Sequence, residues 1–461
     1  MGEIRAGSRM HRRTMAIAVA PPAPASDGAP TDAGSDSCSA GCDAMTDAAS
    51  SCTLPSILDG FVPKRVLYVA PGGSDAHDGM SMATAWATLA HSSALLPGDE
   101  VRVATGTYAC PVLGPIAGAS GAPVHFVSSD GPRNAKLDCS AGGMFMTNLQ
   151  YVAVDGFEIT GSSAGSHCIN LNSGGGPPFQ NLSAHDLFIH VYVHACSLSA
   201  LKVSQAFDID LVQSEVADNT TPGNPLVDYV AVHDSHFVQN LVHDGVDVGL
   251  QMKGGAYNCV MDANVIYDAG SNAINMGQST GQTFFLPGYA DWEASHSIVS
   301  NNVITGHITE GAVAVWGCDH CIVAHNTVWA TSAAELIRGL SSTNSTGAAI
   351  DDTGLLVQDN ILAAQNVPIP LNITGANAGG LVQGYNLYYS TAGKLATAYS
   401  DTPIGGAGNV LDQDPKFVSA STPLDLRLAP GSPAIGVATP IASVTGTADG
   451  GCAVNRDLGA Y

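Results

Sequence analysis

Positive charge is scarce in this sequence. Between residues 150 and 400 it holds only Lys202, Lys253, Arg338 and Lys394, so a reaction needing an amine base or a cation must draw on these four. Lys253 stands in the run Gly249-Leu-Gln-Met-Lys-Gly-Gly255. An amine on a strand can take a proton from carbon once burial or a neighbouring cation lowers its pKa. Alternation along the run, aligned with the following repeats, pairs Leu250 and Met252 with Ala312 and Ala314 and turns them inward. Gln251 and Lys253 then point outward, on the face of Asn275, Val313 and Val315, and the two glycines after Lys253 leave room for a ligand. An ordinary solvated lysine would give the same pattern. His243 is the next candidate for a base.

Other residue types suggest what could surround Lys253. Asp244 and Asp268 follow Asn240 and Asn264 by the same interval and should stack in one turn, with Asp247 beside them. Carboxylates stacked about 4.8 Å apart repel unless they are hydrated or bridged, and hard oxygen ligands suit Ca²⁺. Solvated turn aspartates are the competing reading. Arg338, in Glu335-Leu-Ile-Arg-Gly339, lies three repeats beyond Lys253, about 14 Å at strand spacing. That suits a carboxylate or sulfate in a neighbouring subsite, although a strict count gives Arg338 an inward slot, where it would pair with Glu335. Residues 277–293 form an insertion carrying Phe284, Phe285, Tyr289, Trp292 and Glu293. Aromatic side chains on such a loop can make a sugar-stacking wall, or pack down onto the body.

The elements that must hold these groups are legible from a repeat. Short Val/Ile/Leu-rich runs end in Asn240, Asn264, Asn302, Asn326, Asn360 and Asn386, spaced by 24, 38, 24, 34 and 26 residues. One period of 24 with insertions of 14 and 10 accounts for the first four intervals. About two dozen residues holding short strands and no helix describe one coil of a β-solenoid, with each Asn at a turn satisfying the backbone of its neighbours. A β-sandwich would not hold one register over five intervals. The stretch 83–90 (ATAWATLA) reads as an amphipathic helix covering the open N-terminal end, and the tail would cap the other.

Composition agrees. Of 461 residues, 52 are Gly and 25 Pro, and only 12% are charged, as in a turn-rich all-β chain. The net charge of −24 excludes a general nucleic-acid or anionic-membrane binder. No apolar stretch reaches the roughly 18 residues of a membrane span. Residues 1–63 combine a short basic and apolar start resembling an export signal with a Cys/Ser/Ala/Asp-rich linker. Residues 64–389 form the solenoid with its N-terminal cap, and 390–461 a C-terminal capping region. Eleven cysteines and the linker point to a secreted or cell-surface protein, expected to be monomeric. Cys110 with Cys139 is a candidate bridge. Cys318-Asp-His-Cys321 has a spacing that also serves zinc, but no second such pair exists.

The Tyr68-Val-Ala-Pro-Gly-Gly-Ser-Asp opening, the Asn-ended coils and the Ser432-Pro-Ala-Ile…Asp457-Leu-Gly-Ala-Tyr ending resemble secreted bacterial right-handed parallel β-helix proteins of the pectate-lyase-like superfamily. Lys253-Gly-Gly-Ala-Tyr-Asn258 further resembles a short pattern of the alginate-lyase and chondroitinase-B group, in which the lysine abstracts the proton. That group carries an Arg on the next coil, where this sequence has Met276. The resemblance implies an extracellular lyase acting on a uronate-containing polysaccharide by β-elimination. Lys253 or His243 would be the base, and Gln251, Asn275, Arg338, Tyr289, Trp292 and Glu293 would bind substrate. Asp244, Asp247 and Asp268 would hold any Ca²⁺. Two alternatives share the fold: a hydrolase using carboxylates such as Glu293, Glu310 and Asp247, and a non-catalytic adhesion or glycan-binding protein.

Overall fold

The computed structural model describes residues 56–460 except 177–178, 287, 289–290, 396–403, 422–423, 442 and 445–456. The signal-like start, most of the linker and Tyr289 lie outside the described residues.

One coil shows how the chain winds. The strands Leu241–His243, Asp247–Lys253, Ala256–Tyr257 and Val260–Asp262 follow one another around the axis, and Val265–Tyr267 then returns to the first, with Leu241 opposite Val265 and Val265 opposite Val303. Corner residues of this coil take left-handed backbone, as at Gln239, Asp244, Asn258 and Ala263, and polar Asn and Asp accept that conformation better than most. Neighbouring coils pair in parallel from Arg65–Val69 to Leu387–Ser390, with Val410–Leu411 added beyond. Among the described residues the antiparallel ladders are two small hairpins, Ser342–Thr343 with Ala349–Ile350 and Phe417–Ser419 with Asp425–Leu428.

The asparagine spacing becomes a ladder of side-chain hydrogen bonds. The backbone N–H and Nδ2 of Asn240 donate to Oδ1 of Asn264 at 3.0 and 2.9 Å, and the same double bond repeats from Asn264 to Asn302, Asn326, Asn360 and Asn386. Each of these amides also reaches a strand-end carbonyl, such as Asn302 Nδ2 to Met261 O at 2.9 Å. The buried corner therefore leaves few polar groups unpaired.

The structure revises several expectations. No α-helix forms at 83–90: after a short 3₁₀ turn at Met82–Thr84, Trp86 bridges to Val69, its N–H donating to Tyr68 O at 2.9 Å. The first strand's free edge attracts extended backbone more strongly than the local helical pattern holds it, and Trp86 and Leu89 still bury themselves over that end. The register from Lys253's strand is one residue off. A bulge between Gly270 and Asn272 aligns Leu250 with Ile274 and Val313, and Met252 with Met276 and Val315. Val313 and Val315 are thus core, and the outward row runs Gln251, Asn275, Ala314, Arg338. The cysteine pair is joined as a disulfide, Cys318–Cys321, so its thiolates are withdrawn from zinc. Cys110–Cys139 and Cys168–Cys196 are joined as well. The tail packs sideways, Leu424, Leu426, Ala434 and Leu458 against Trp329, Ile361 and Leu387.

Candidate active-site cleft

Lys253 ends the strand Asp247–Lys253 on its outward side, as its own alternation required. Its Nζ donates to Gln278 Oε1 at 2.9 Å. It opens on a cleft of about 280 Å³ lined also by Lys202, Gln205, Val230, Thr280 and Phe284. Burial lowers the Lys253 pKa below 10.5; the nearby Asp228 charge opposes that shift and the Lys202 charge adds to it.

Beneath the cleft, strand register lines up Lys202, Asp228, Gln251 and Asn275 on four successive coils. Asn275 Nδ2 donates to Gln251 Oε1 at 3.2 Å, Gln251 Nε2 donates to Asp228 Oδ1 at 2.8 Å, and Lys202 ion-pairs with Asp228 Oδ2. Burial alone would raise the Asp228 carboxyl, but the Lys202 and Lys253 charges and these hydrogen bonds hold it below its ordinary value. Asp228 therefore stays ionised and pairs Lys202, while Lys253 has a neutral partner. The two lysines sit in unlike environments within one cleft. Gln251 and Asn275 are themselves fully buried, so the Gln251 amide that donates to Asp228 is held in place by Asn275.

The insertion 277–293 is the roof. Glu293, fully buried, fastens it: Oε2 accepts from Gly254 N and Thr280 Oγ1 at 2.8 and 2.7 Å, and Oε1 from Thr280 N and Ser342 Oγ at 2.7 and 3.2 Å. Leu286 packs on Val230 and Ala231. Phe284 remains 52% exposed at the cleft. Gly254 serves this roof, since a Cβ there would come 2.9 Å from Thr280 Cγ2. Glu293 thus holds the loop with the carboxylate that the sequence assigned to substrate. Trp292 is half-buried beside it.

The other candidates lie apart. His243 belongs to the strand Leu241–His243, in a sheet separate from that of Lys253. It stacks on Tyr267 at 4.7 Å, with Nε2 3.2 Å from Glu215 Oε1 and Nδ1 2.9 Å from Asp244 Oδ2. Burial would lower its pKa, but the two carboxylates outweigh that and raise it. Arg338 keeps to the outward row, three coils from Gln251, and pairs with Glu310 at 2.6 Å and Glu335 at 3.1 Å. The three aspartates proposed for Ca²⁺ do not converge. Asp247 Oδ1 accepts from Ser271 Oγ and Asp268 Oδ1 from His307 N, both at 2.7 Å, while Asp244 faces His243. They are not among the described groups whose ligand atoms lie within 4.8 Å of one another. The donor set does not fit a shared Ca²⁺, and no step is assigned to one.

No family model and no curated protein matches this chain. Solved structures do. The chain is similar to pectate lyase Pel9A, at 15% identity with a TM-score of 0.56, covering 88% of this chain and 98% of that one. It is also similar to XylC, solved in complex with xylose, at 10% identity and a TM-score of 0.52, covering 76% and 87%. These likenesses establish the fold, a right-handed parallel β-helix.

Proposed function

We propose that this β-helix is a carbohydrate-active enzyme, a lyase that cleaves an acidic, uronate-containing polysaccharide by β-elimination with Lys253 as the base. One observation carries the reading: a lysine with a lowered pKa faces a roofed cleft beside a second lysine whose charge is held by Asp228. On a chain of net charge −24, that concentration of amines suits a carboxylate-bearing sugar. The pectate lyase among the structural neighbours is in keeping with it.

The chemistry needs those parts. Neutral Lys253 Nζ takes the proton α to the uronate carboxylate, and the electron pair left on carbon delocalises into that carboxylate as a dianion. Lys202, paired with Asp228 on one side, lines the cleft on the other and can donate a hydrogen bond to that carboxylate. The pair then forms the ring double bond as the glycosidic oxygen leaves and is protonated by solvent. The products are an unsaturated uronate and a new chain end. The three disulfides among the described residues favour an oxidising, extracellular setting.

The test is absorbance of unsaturated uronate products across alginate, pectate and glycosaminoglycans. Appearance with wild-type protein and loss with Lys253→Ala supports the proposal. Chain scission without that absorbance, or binding without turnover, replaces it with the hydrolase or the glycan-binding reading.

A further inference from the structure

The cysteine pair at 318–321 leaves a question that the disulfide answers only in part. With the two sulfurs joined, the donors that remain in that turn are the two residues between them, Asp319 and His320. One coil earlier in the same corner is His296: Ser295 is opposite Asp319 in the ladder, so His296 and His320 occupy equivalent positions on stacked coils. Backbone bonds fix that spacing, His296 N to Asp319 O at 2.8 Å and His320 N to Thr353 O at 2.8 Å. The two imidazoles lie 5.6 Å apart, nearly parallel. A ligand atom from each of His296, Asp319 and His320 falls within 4.8 Å of the other two.

We infer that His296, Asp319 and His320 form a binding site for a divalent transition ion of the Zn²⁺ class on the outer corner of the β-helix. Two imidazole nitrogens and one carboxylate oxygen are the donor types that Zn²⁺, Co²⁺ and Ni²⁺ prefer, whereas Ca²⁺ takes oxygen alone. Two nitrogens on one ion at Zn–N lengths of about 2.1 Å stand no more than about 4.2 Å apart, so the exposed, stacked imidazoles must turn toward each other to close on it. The surroundings orient the set. Thr353 Oγ1 donates to Asp319 Oδ1 at 2.7 Å, the kind of outer hydrogen bond that aims a ligating carboxylate. His320 Nδ1 lies 2.7 Å from the same oxygen, a contact that holds the ring beside the carboxylate. Gly354 makes room for the ring, because a Cβ there would come 2.8 Å from His320 Cδ2. The Cys318–Cys321 bridge brackets the two-residue turn and restricts its movement. Three protein ligands leave the remaining positions to water.

The site has a structural consequence. His296 follows Glu293 and the strand Ala294–Ser295, where the roof insertion rejoins the solenoid. An ion held there ties that return strand to the next coil through side chains as well as backbone.

Equilibrium dialysis of the metal-free, oxidised full-length protein against Zn²⁺, with Co²⁺ as a visible-absorbing substitute, tests the assignment. One equivalent should bind, and His296→Ala and His320→Ala should each weaken it at least tenfold with metal-free melting curves unchanged. Asp319→Asn, which keeps the side-chain size, should weaken it in the same way. His236→Ala removes the histidine of the other converging group, Asp208, Asp210 and His236, and should leave the equivalent in place. Wild-type protein that binds no equivalent, His296→Ala and His320→Ala variants that bind as tightly as wild type, or loss confined to His236→Ala would overturn the inference.

Discussion

Replacing Lys253 separates catalysis from stability more cleanly than any other change in the cleft. In Lys253→Ala the folded protein loses one hydrogen bond, to the neutral amide of Gln278, which contributes about 1 kcal/mol. No charge is orphaned, because Asp228 keeps Lys202 and the Gln251 amide. With some lost packing of the lysine stem, the total is about 1–2 kcal/mol, a melting shift of no more than about 4 °C in a chain this long. The rate should fall far more: a positioned base contributes roughly 10²- to 10⁴-fold. Lys253→Arg should be equally inactive, since a guanidinium does not give up its proton near neutral pH. In the wild type, elimination should rise with pH as the ammonium deprotonates, with an inflection below the ordinary lysine value of 10.5 because burial disfavours the charged form. Unsaturated product absorbance measured across pH, beside melting curves, reads both quantities. A Lys253→Ala variant with wild-type rate would refute the reasoning. So would a wild-type profile that stays flat between about pH 6 and about pH 10.

Other outcomes follow from neighbouring interactions. Asp228→Asn removes the charge that raises the Lys253 pKa and unmasks Lys202, so the inflection of the pH–rate profile should move to lower pH. His243 has its folded pKa raised by Glu215 and Asp244, so its stabilisation is present in full below an unfolded value of about 6.5 and fades as pH climbs through the folded value. His243→Gln should therefore lower the melting temperature more at about pH 5.5 than at about pH 9, and leave elimination unchanged, because the residue lies in another sheet. Asn302→Ala strips partners from Asn264 N and Met261 O at a buried corner and leaves Asn264 Nδ2 with Phe237 O alone. At about 1–3 kcal/mol for each unsatisfied group, it should destabilise by at least about 2 kcal/mol in denaturant melts.

What was legible in the sequence follows the range of the forces. The asparagine repeat could be read because one side chain must meet the same backbone need on every coil, and insertions such as 277–293 leave from a different corner. Lys253's direction could be read because Leu250-Gln-Met-Lys alternates between apolar and polar. The register beyond it could not. Ala312-Val-Ala-Val315 is apolar at every position and carries no parity, so the bulge at Gly270 passed unseen. The helix at 83–90 failed for a related reason: its pattern is local, whereas the bond from Trp86 to Tyr68 that displaced it belongs to the sheet.

The cleft itself was only half visible, and the missing half is the part that shifts the lysine. Gln251 and Asn275 do face outward as alternation requires, yet they are buried, and the roof beside Lys253 is tethered by Glu293 through contacts to residues 254, 280 and 342. A lone acid at the end of an insertion reads as a surface group, and no local signal announces four hydrogen bonds. Asp228 was equally silent, since an aspartate in an apolar strand acquires meaning only when Lys202 and Gln251 are set on either side of it. Scarcity of cations singled out Lys253; coil stacking supplied Lys202 and Asp228. The roof supplied the burial, which is the largest influence on that amine. The reactivity proposed for Lys253 therefore resides in three segments far apart in the chain, and loosening the roof alone should return the lysine toward ordinary behaviour.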